Sequence, residues 1–251
     1  MIGLSLFEHF QKQFVSSLLV SVALIFCFCS ASGAQTLKVS MIEKTPDQLV
    51  AAEVLREIYH RLGISLEFIV FPGKRALVES SKGNVDAELQ RIFEIGESYP
   101  TLIRVPTPFM TWGVSVFSNK HDFKVDGWSS MRGFTVVMIR GMKYAEIGLE
   151  NAGAKEIIVL NDIKSMLNLI NSHRADLAIS SHFNVTYHLK KMNIDSIHPL
   201  KPQLKRYELF HYLHEKNKHL VSQLDGVIRT MIKSGELERL QEKHKEGVLN
   251  F

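Results

Sequence analysis

The stretch GNVDAELQRIFEIGESYPTLIRVPTPF, residues 83–109, sets a carboxylate, Glu88, and a guanidinium, Arg91, three positions apart around the end of a short apolar run. An arginine at a strand end can make a paired, charge-assisted bond to a small anion, or it can neutralise the neighbouring acid. A second concentration of charge is Arg140-Gly141-Met142-Lys143, which leads into a helical pattern. A glycine there lets a ligand approach the backbone, free N–H groups point outward, and two cations flank them, which suits a carboxylate or another small anion. Phe109, Trp112 and Tyr144 offer aromatic faces for further contact. Glu43 and Glu88 could act as a carboxylate pair, although sequence does not fix their separation.

The usual catalytic patterns are absent. No G-x-S-x-G, H-E-x-x-H, P-loop or G-x-G-x-x-G occurs. His211 and His214 fall on opposite faces of an expected strand, and His182 and His188 sit at an offset that does not stack two ligands on a helix. Both cysteines, Cys27 and Cys29, lie in the apolar N-terminal segment, so the rest of the chain has no disulfide, thiol nucleophile or thiolate metal site. Binding without catalysis, with no cofactor and no metal, is the expectation.

That N-terminal segment, FVSSLLVSVALIFCFC followed by SASGA, reads as a cleavable secretory signal over residues 1–34, with Ser32 and Ala34 as the small residues before the cut. The apolar run is shorter than the roughly 20 residues a membrane span needs. Export across an inner membrane to a periplasm is the expectation. The segment holds one acidic and one basic residue, so the chain's formal charge of +4 is unaffected by its loss. The excess is mild and no dense Lys/Arg run with interleaved aromatics appears, which argues against a nucleic-acid partner.

The elements that must position these residues alternate. LKVSMI (37–42) is a buried strand, Thr45-Pro46-Asp47 starts a helix with Thr45 as N-cap, and Gly63 ends it. ISLEFIVF (64–71) is a strand, a short helix follows from Arg75 to Ser81, and VDAEL (85–89) is a strand again. Pro100, Pro106 and Pro108 then punctuate a region with no helical period, expected to be extended. The unit restarts with strands at 112–119 and 134–139, a helix from Lys143 to Asn151, a strand at 156–160, a helix capped by Asp162, and a strand at 176–180. A strand at 206–214 and two closing helices complete the chain. Repeated β-α-β units call for parallel sheet with right-handed crossovers. The expected fold is α/β: two similar lobes joined by a two-crossing hinge, with a cleft between them. Residues 35–108 with 207–251 would form the first lobe and 109–206 the second.

In such sheets ligands bind beyond the carboxyl ends of the strands. That rule selects Glu43, Arg75 and Glu88 to Arg91 from the first lobe. From the second it selects Arg140, Gly141, Lys143, Asn161, Ser180, Ser181 and His182.

Several segments together resemble the bacterial solute-binding proteins of family 3, the amino-acid-type receptors of ABC importers, which have a type II periplasmic binding fold. They are LREIYHRLGISLEF, KGNVDAEL, VPTPFMTWGVSVF, MRGFTVVMIRGMKYAE, RADLAISS and LDGVIRTMIKSGELERLQEKH, in the family's order and spacing. The resemblance implies a periplasmic monomer that closes on an amino-acid-like solute and hands it to an ABC permease. A membrane sensor as partner, or a lyase or dehydratase on the same scaffold, are the alternatives. The departures concern the ligand. Tyr99 stands where the family carries its carboxylate-gripping arginine, Ser181 where it carries an amine-binding aspartate, and Met142 where a small hydroxyl follows the glycine. Arg91 is the expected substitute for the missing arginine, with Arg104 as a second candidate.

Overall fold

The chain, seen in a computed structural model, is described over residues 36–42 and 45–250. The expected signal segment, Glu43, Lys44 and Phe251 lie outside the described residues.

Strands β1 (Thr36–Ile42), β2 (Ser65–Phe71) and β3 (Ala87–Arg91) alternate with helices α1 (Pro46–His60) and α2 (Gly73–Ser81). A short helix α3 (Ile95–Ser98) and strand β4 (Leu102–Arg104) follow, then β5 (Met110–Ser118). The second run is β6 (Thr135–Ile139), α4 (Lys143–Leu149), β7 (Glu156–Leu160), α5 (Ile163–Asn171), β8 (Leu177–Ser181) and α6 (His182–Met192). The short strand β9 (His198–Pro199), β10 (Lys205–His214), α7 (Val221–Lys233) and α8 (Glu236–Leu249) close the chain.

The sheet order is β2-β1-β3-β10-β5-β8-β6-β7, with β4 on β10 and β9 on β5. Pairs within each β-α-β run are parallel, as crossover helices require, and β5 and β10 are antiparallel to their neighbours. The front of β10, Lys205 to Leu209, pairs with β5, while Phe210 to His214 pairs with β3 and β4. This one strand therefore ties the two halves of the sheet together.

Residue pattern explains each half. In α1, Val50, Val54 and Ile58 recur at helical spacing and are fully buried with Leu55 in a core that includes β1, β3, Phe109 and Trp112. Removing the Leu55 side chain would cost about 2–5 kcal/mol, the usual range for a large-to-small change in a packed core. Strand β6 is covered on both sides: Val136 and Met138 enter one cluster, Val137 and Ile139 another. That is why its sequence is an unbroken apolar run instead of an alternation.

Two local expectations need correction. Thr45 does not cap α1 through its side chain; its hydroxyl donates to Asp47 Oδ1 at 2.6 Å instead. The proline-punctuated region is not wholly extended, because α3 and β4 form within it. A four-residue helix is too short to show a period, and β4 is held by pairing Arg104 with Tyr212 across the sheet, which no local pattern announces. Asp162 does cap α5 as expected, accepting the Ser165 N–H at 2.8 Å.

Candidate functional site

Two hollows lie where the carboxyl ends of the parallel strands in the two halves face each other. The outer cleft, about 540 Å³, is lined from the first half by Ile42, Thr45, Pro72, Gly73 and Lys74, and from the second by residues that include Arg140, Asn161 and His188. The inner chamber, about 60 Å³, is lined by Asp47, Gln48, Gln90 and Arg91 from the first half, and by Gly141, Met142, Lys143 and Tyr144 from the second. Ile42 and Met142 border both hollows.

Between them the two halves touch backbone to backbone. Gly141 has φ +79°, and a Cβ there would lie 3.0 Å from Lys74 N and 3.1 Å from Gly73 C. Only a glycine meets both demands, a left-handed backbone and an approach that leaves no room for a side chain. A hydrogen bond crosses nearby: the Asp47 N–H donates to Asn184 Oδ1 at 2.8 Å. Trp112 of β5 stacks on Phe183 of α6, with ring centroids 5.2 Å apart.

The chamber walls hold polar groups out of water without satisfying them. Gln90 is buried and neither its Oε1 nor its Nε2 has a partner among the described residues. An amide in that state loses the hydrogen bonds water would give, at about 1–3 kcal/mol for each group, so it marks a place that something polar fills. Tyr144 also lines the chamber, with Ser180 beside its hydroxyl and outside the lining. Burial pushes the Tyr144 phenol well above its ordinary pKa, and the Asp47 carboxylate nearby adds to the rise. Burial likewise raises the Asp47 carboxyl, against hydrogen bonds from Thr45, Asn184 and Gln48 that lower it.

The predicted residues divide. Gly141, Lys143, Tyr144 and Arg91 line the inner chamber, and Arg140 lines the outer cleft with its Nε on Asn161 Oδ1 at 3.1 Å. Ser180 and Ser181 are buried at the end of β8, where Ser181 caps α6 by accepting the Asn184 N–H. Glu88 is buried beneath the chamber. It accepts Arg91 Nε at 2.6 Å, Ser80 Oγ at 3.0 Å and the Ser40 hydroxyl. Arg91 also donates to the Gly73 carbonyl at 2.9 Å. The charged pair that opens the sequence reading thus closes on itself.

Trp112, buried in the first core and bordering neither hollow, and three further expected contacts lie elsewhere. Arg75 is exposed, 3.4 Å from Glu79 and over the Phe71 ring. Phe109 is fully buried in the first core, edge-on to His211. Tyr99 lines a separate hollow with Glu94, Ser98 and Ile147. The helical turn after β2 carries Arg75 away from the cleft, and the α3 turn does the same for Tyr99. Sequence reasoning selected Gln90 only within the range Glu88 to Arg91 and overlooked Asp47 and Gln48. These two lie in the opening turn of α1, directly beyond β1; applying the strand-end rule to the first helical turn as well as the loop would have found them.

Two α/β half-sheets joined by shared strands, with a polar chamber between them, define a two-lobed binding protein. The sequence profile of the bacterial extracellular solute-binding proteins, family 3, matches residues 50–247, and the chain belongs to that family. An uncharacterized protein of Shewanella oneidensis is 24% identical over 255 residues, covering 90% of this chain and 93% of its own. Among solved structures, a histidine kinase sensor domain similar to periplasmic binding proteins superposes with a TM-score of 0.72 at 15% identity, covering 84% of this chain and 96% of its own. An amino acid ABC transporter substrate-binding protein from Streptococcus pneumoniae, bound to L-arginine, gives 0.67 at 17%, covering 86% and 97%. The fold is that of type II periplasmic binding proteins.

Proposed function

We propose that this chain is an exported receptor that captures one small polar solute between its two halves and presents it to a membrane partner. The observation that carries this reading is the inner chamber, walled by polar side chains from both halves, Asp47 and Gln90 from one and Lys143 and Tyr144 from the other, with both amide atoms of Gln90 lacking a partner among the described residues. A solute there would contact both sets at once, which couples its binding to closure. Residues 35–108 with 207–251 and residues 109–206 are the proposed moving bodies, turning about β5 and β10. No bond is made or broken.

An ABC permease is the proposed partner, in keeping with the family, with the receptor acting as a monomer in the periplasm. A membrane sensor is the second reading, favoured by the likeness to a histidine kinase sensor domain.

Thermal unfolding with a panel of amino acids, organic acids, amines and short peptides tests the receptor reading. A ligand held at a hundred times its Kd stabilises the folded state by about 2.7 kcal/mol, a shift of a few degrees for a chain of this size. At least one class should raise the midpoint saturably. A folded protein that responds to none of them refutes the proposal.

A further inference from the structure

We propose that the inner chamber recognises its solute by an amine that carries no neighbouring carboxylate, with Asp47 as the counter-charge. This rests on the receptor reading above and names the class of ligand for it.

The charge arrangement leads there. Each cation lining the chamber is already matched. Arg91 lies against Glu88 at 2.6 Å, and one of its two terminal nitrogens is held by the Gly73 carbonyl. Lys143 Nζ is 2.7 Å from Glu146 Oε2. The other oxygen of Glu146 accepts the Gly141 N–H at 3.1 Å, so the backbone group best placed to hold an anion is occupied by the chain itself. An incoming carboxylate would find no free cation in this chamber, and burying it unpaired is strongly unfavourable.

Asp47 is in the opposite state. It has no cationic partner among the described residues: its carboxylate meets only neutral donors, the Thr45 hydroxyl at 2.6 Å and the Gln48 N–H at 2.8 Å on Oδ1, and the Asn184 amide beside them. The lining residues therefore carry one unmatched negative charge. On the same lining stand Gln90 Oε1, an unpartnered acceptor, and the Tyr144 hydroxyl, which suit the N–H donors of an ammonium. Gln90 Nε2 remains as a donor for a hydroxyl or carbonyl on the same solute. An ammonium beside Asp47 would also reverse the upward push that burial gives its carboxyl.

Size agrees. A chamber of about 60 Å³ admits an aminomethyl or aminoethyl head.

Calorimetric titration of the full mature chain tests this with ethanolamine, n-butylamine and putrescine against L-alanine, L-glutamate, L-arginine and acetate. The expected result is saturable binding of at least one carboxylate-free amine, at least tenfold tighter than every amino acid. Asp47→Asn should weaken that binding at least tenfold and Gln90→Ala at least threefold, with circular dichroism confirming that each variant folds. The wild-type panel decides the matter even if a variant does not fold. If an L-amino acid binds as tightly as any amine, the amine proposal is wrong and the receptor reading stands. Binding of an amine with unchanged affinity in folded Asp47→Asn also overturns it. No binding by any compound in this panel or in the broader thermal screen overturns both readings.

Discussion

At the level of single residues, the buried polar side chains divide into those the chain satisfies and those it leaves open. His211 belongs to the first kind. It is fully buried at the irregularity in the β3–β10 pairing, with Nδ1 3.1 Å from the Leu89 carbonyl and Nε2 2.7 Å from the Tyr59 hydroxyl. The carbonyl can only accept, so Nδ1 donates to it and Nε2 accepts the Tyr59 proton. Burial lowers the His211 pKa from 6.5 to about 4. Between those values the unfolded chain binds a proton that the folded one refuses, so stability falls as pH drops through this window. The full effect is about 3 kcal/mol. Chemical unfolding between pH 7 and pH 4 should show that loss, and His211→Gln should flatten the profile. Glu88 gives a second prediction at this scale. Glu88→Ala strands a buried guanidinium and should cost about 3–5 kcal/mol in urea unfolding, whereas Arg75→Ala, at an exposed pair, should change stability by less than about 1 kcal/mol.

At the level of elements, helix starts do the positioning. The opening turn of α1 brings Asp47 and Gln48 to the chamber, and the turn before α4 brings Gly141 against Gly73. Gly141→Ala must place a side chain on a left-handed backbone and push Lys74 away, so the mutation opposes the contact between the halves. A left-handed conformation alone costs an L-residue about 1–2 kcal/mol. Affinity for whichever solute is found should drop about tenfold, measured by calorimetry, with the far-ultraviolet dichroism unchanged. Asp162→Ala should cost about 1 kcal/mol in chemical unfolding through the lost cap on α5. The elements were largely legible in advance: β6 from its unbroken apolar run, α5 from Asp162 and its spacing, α1 from Pro46 and its buried face. The exceptions, α3 and β4, are too short for a period, and β4 exists because β10 lies beside it.

At the level of the whole molecule, the two halves are linked through β5 and β10 and meet again at the chamber. Trp112 reports on that meeting because it packs with the first core yet stacks on Phe183 of α6. The chain has two tryptophans, and Trp128→Phe leaves Trp112 as sole emitter. Its fluorescence should shift saturably with the bound solute, and small-angle scattering should show the radius of gyration falling on binding. A ligand that binds with no change in either quantity would mean the halves do not move.

The order of strands and helices, the parallel crossovers and the location of a cleft beyond the strand ends followed from the amino-acid sequence by itself, because periodicity and turn chemistry act over a few residues and are written locally. Which charges face a solute was decided only by tertiary structure. Glu88 and Arg91 stand three positions apart, as do Lys143 and Glu146, and that spacing allows each acid either to meet its neighbour or to leave it free. Ser40, Ser80 and the Gly73 carbonyl, brought in from other elements, fix the first pair in its internal arrangement. Electrostatic pairing depends on distance through space, and the chain sets that distance only when it folds.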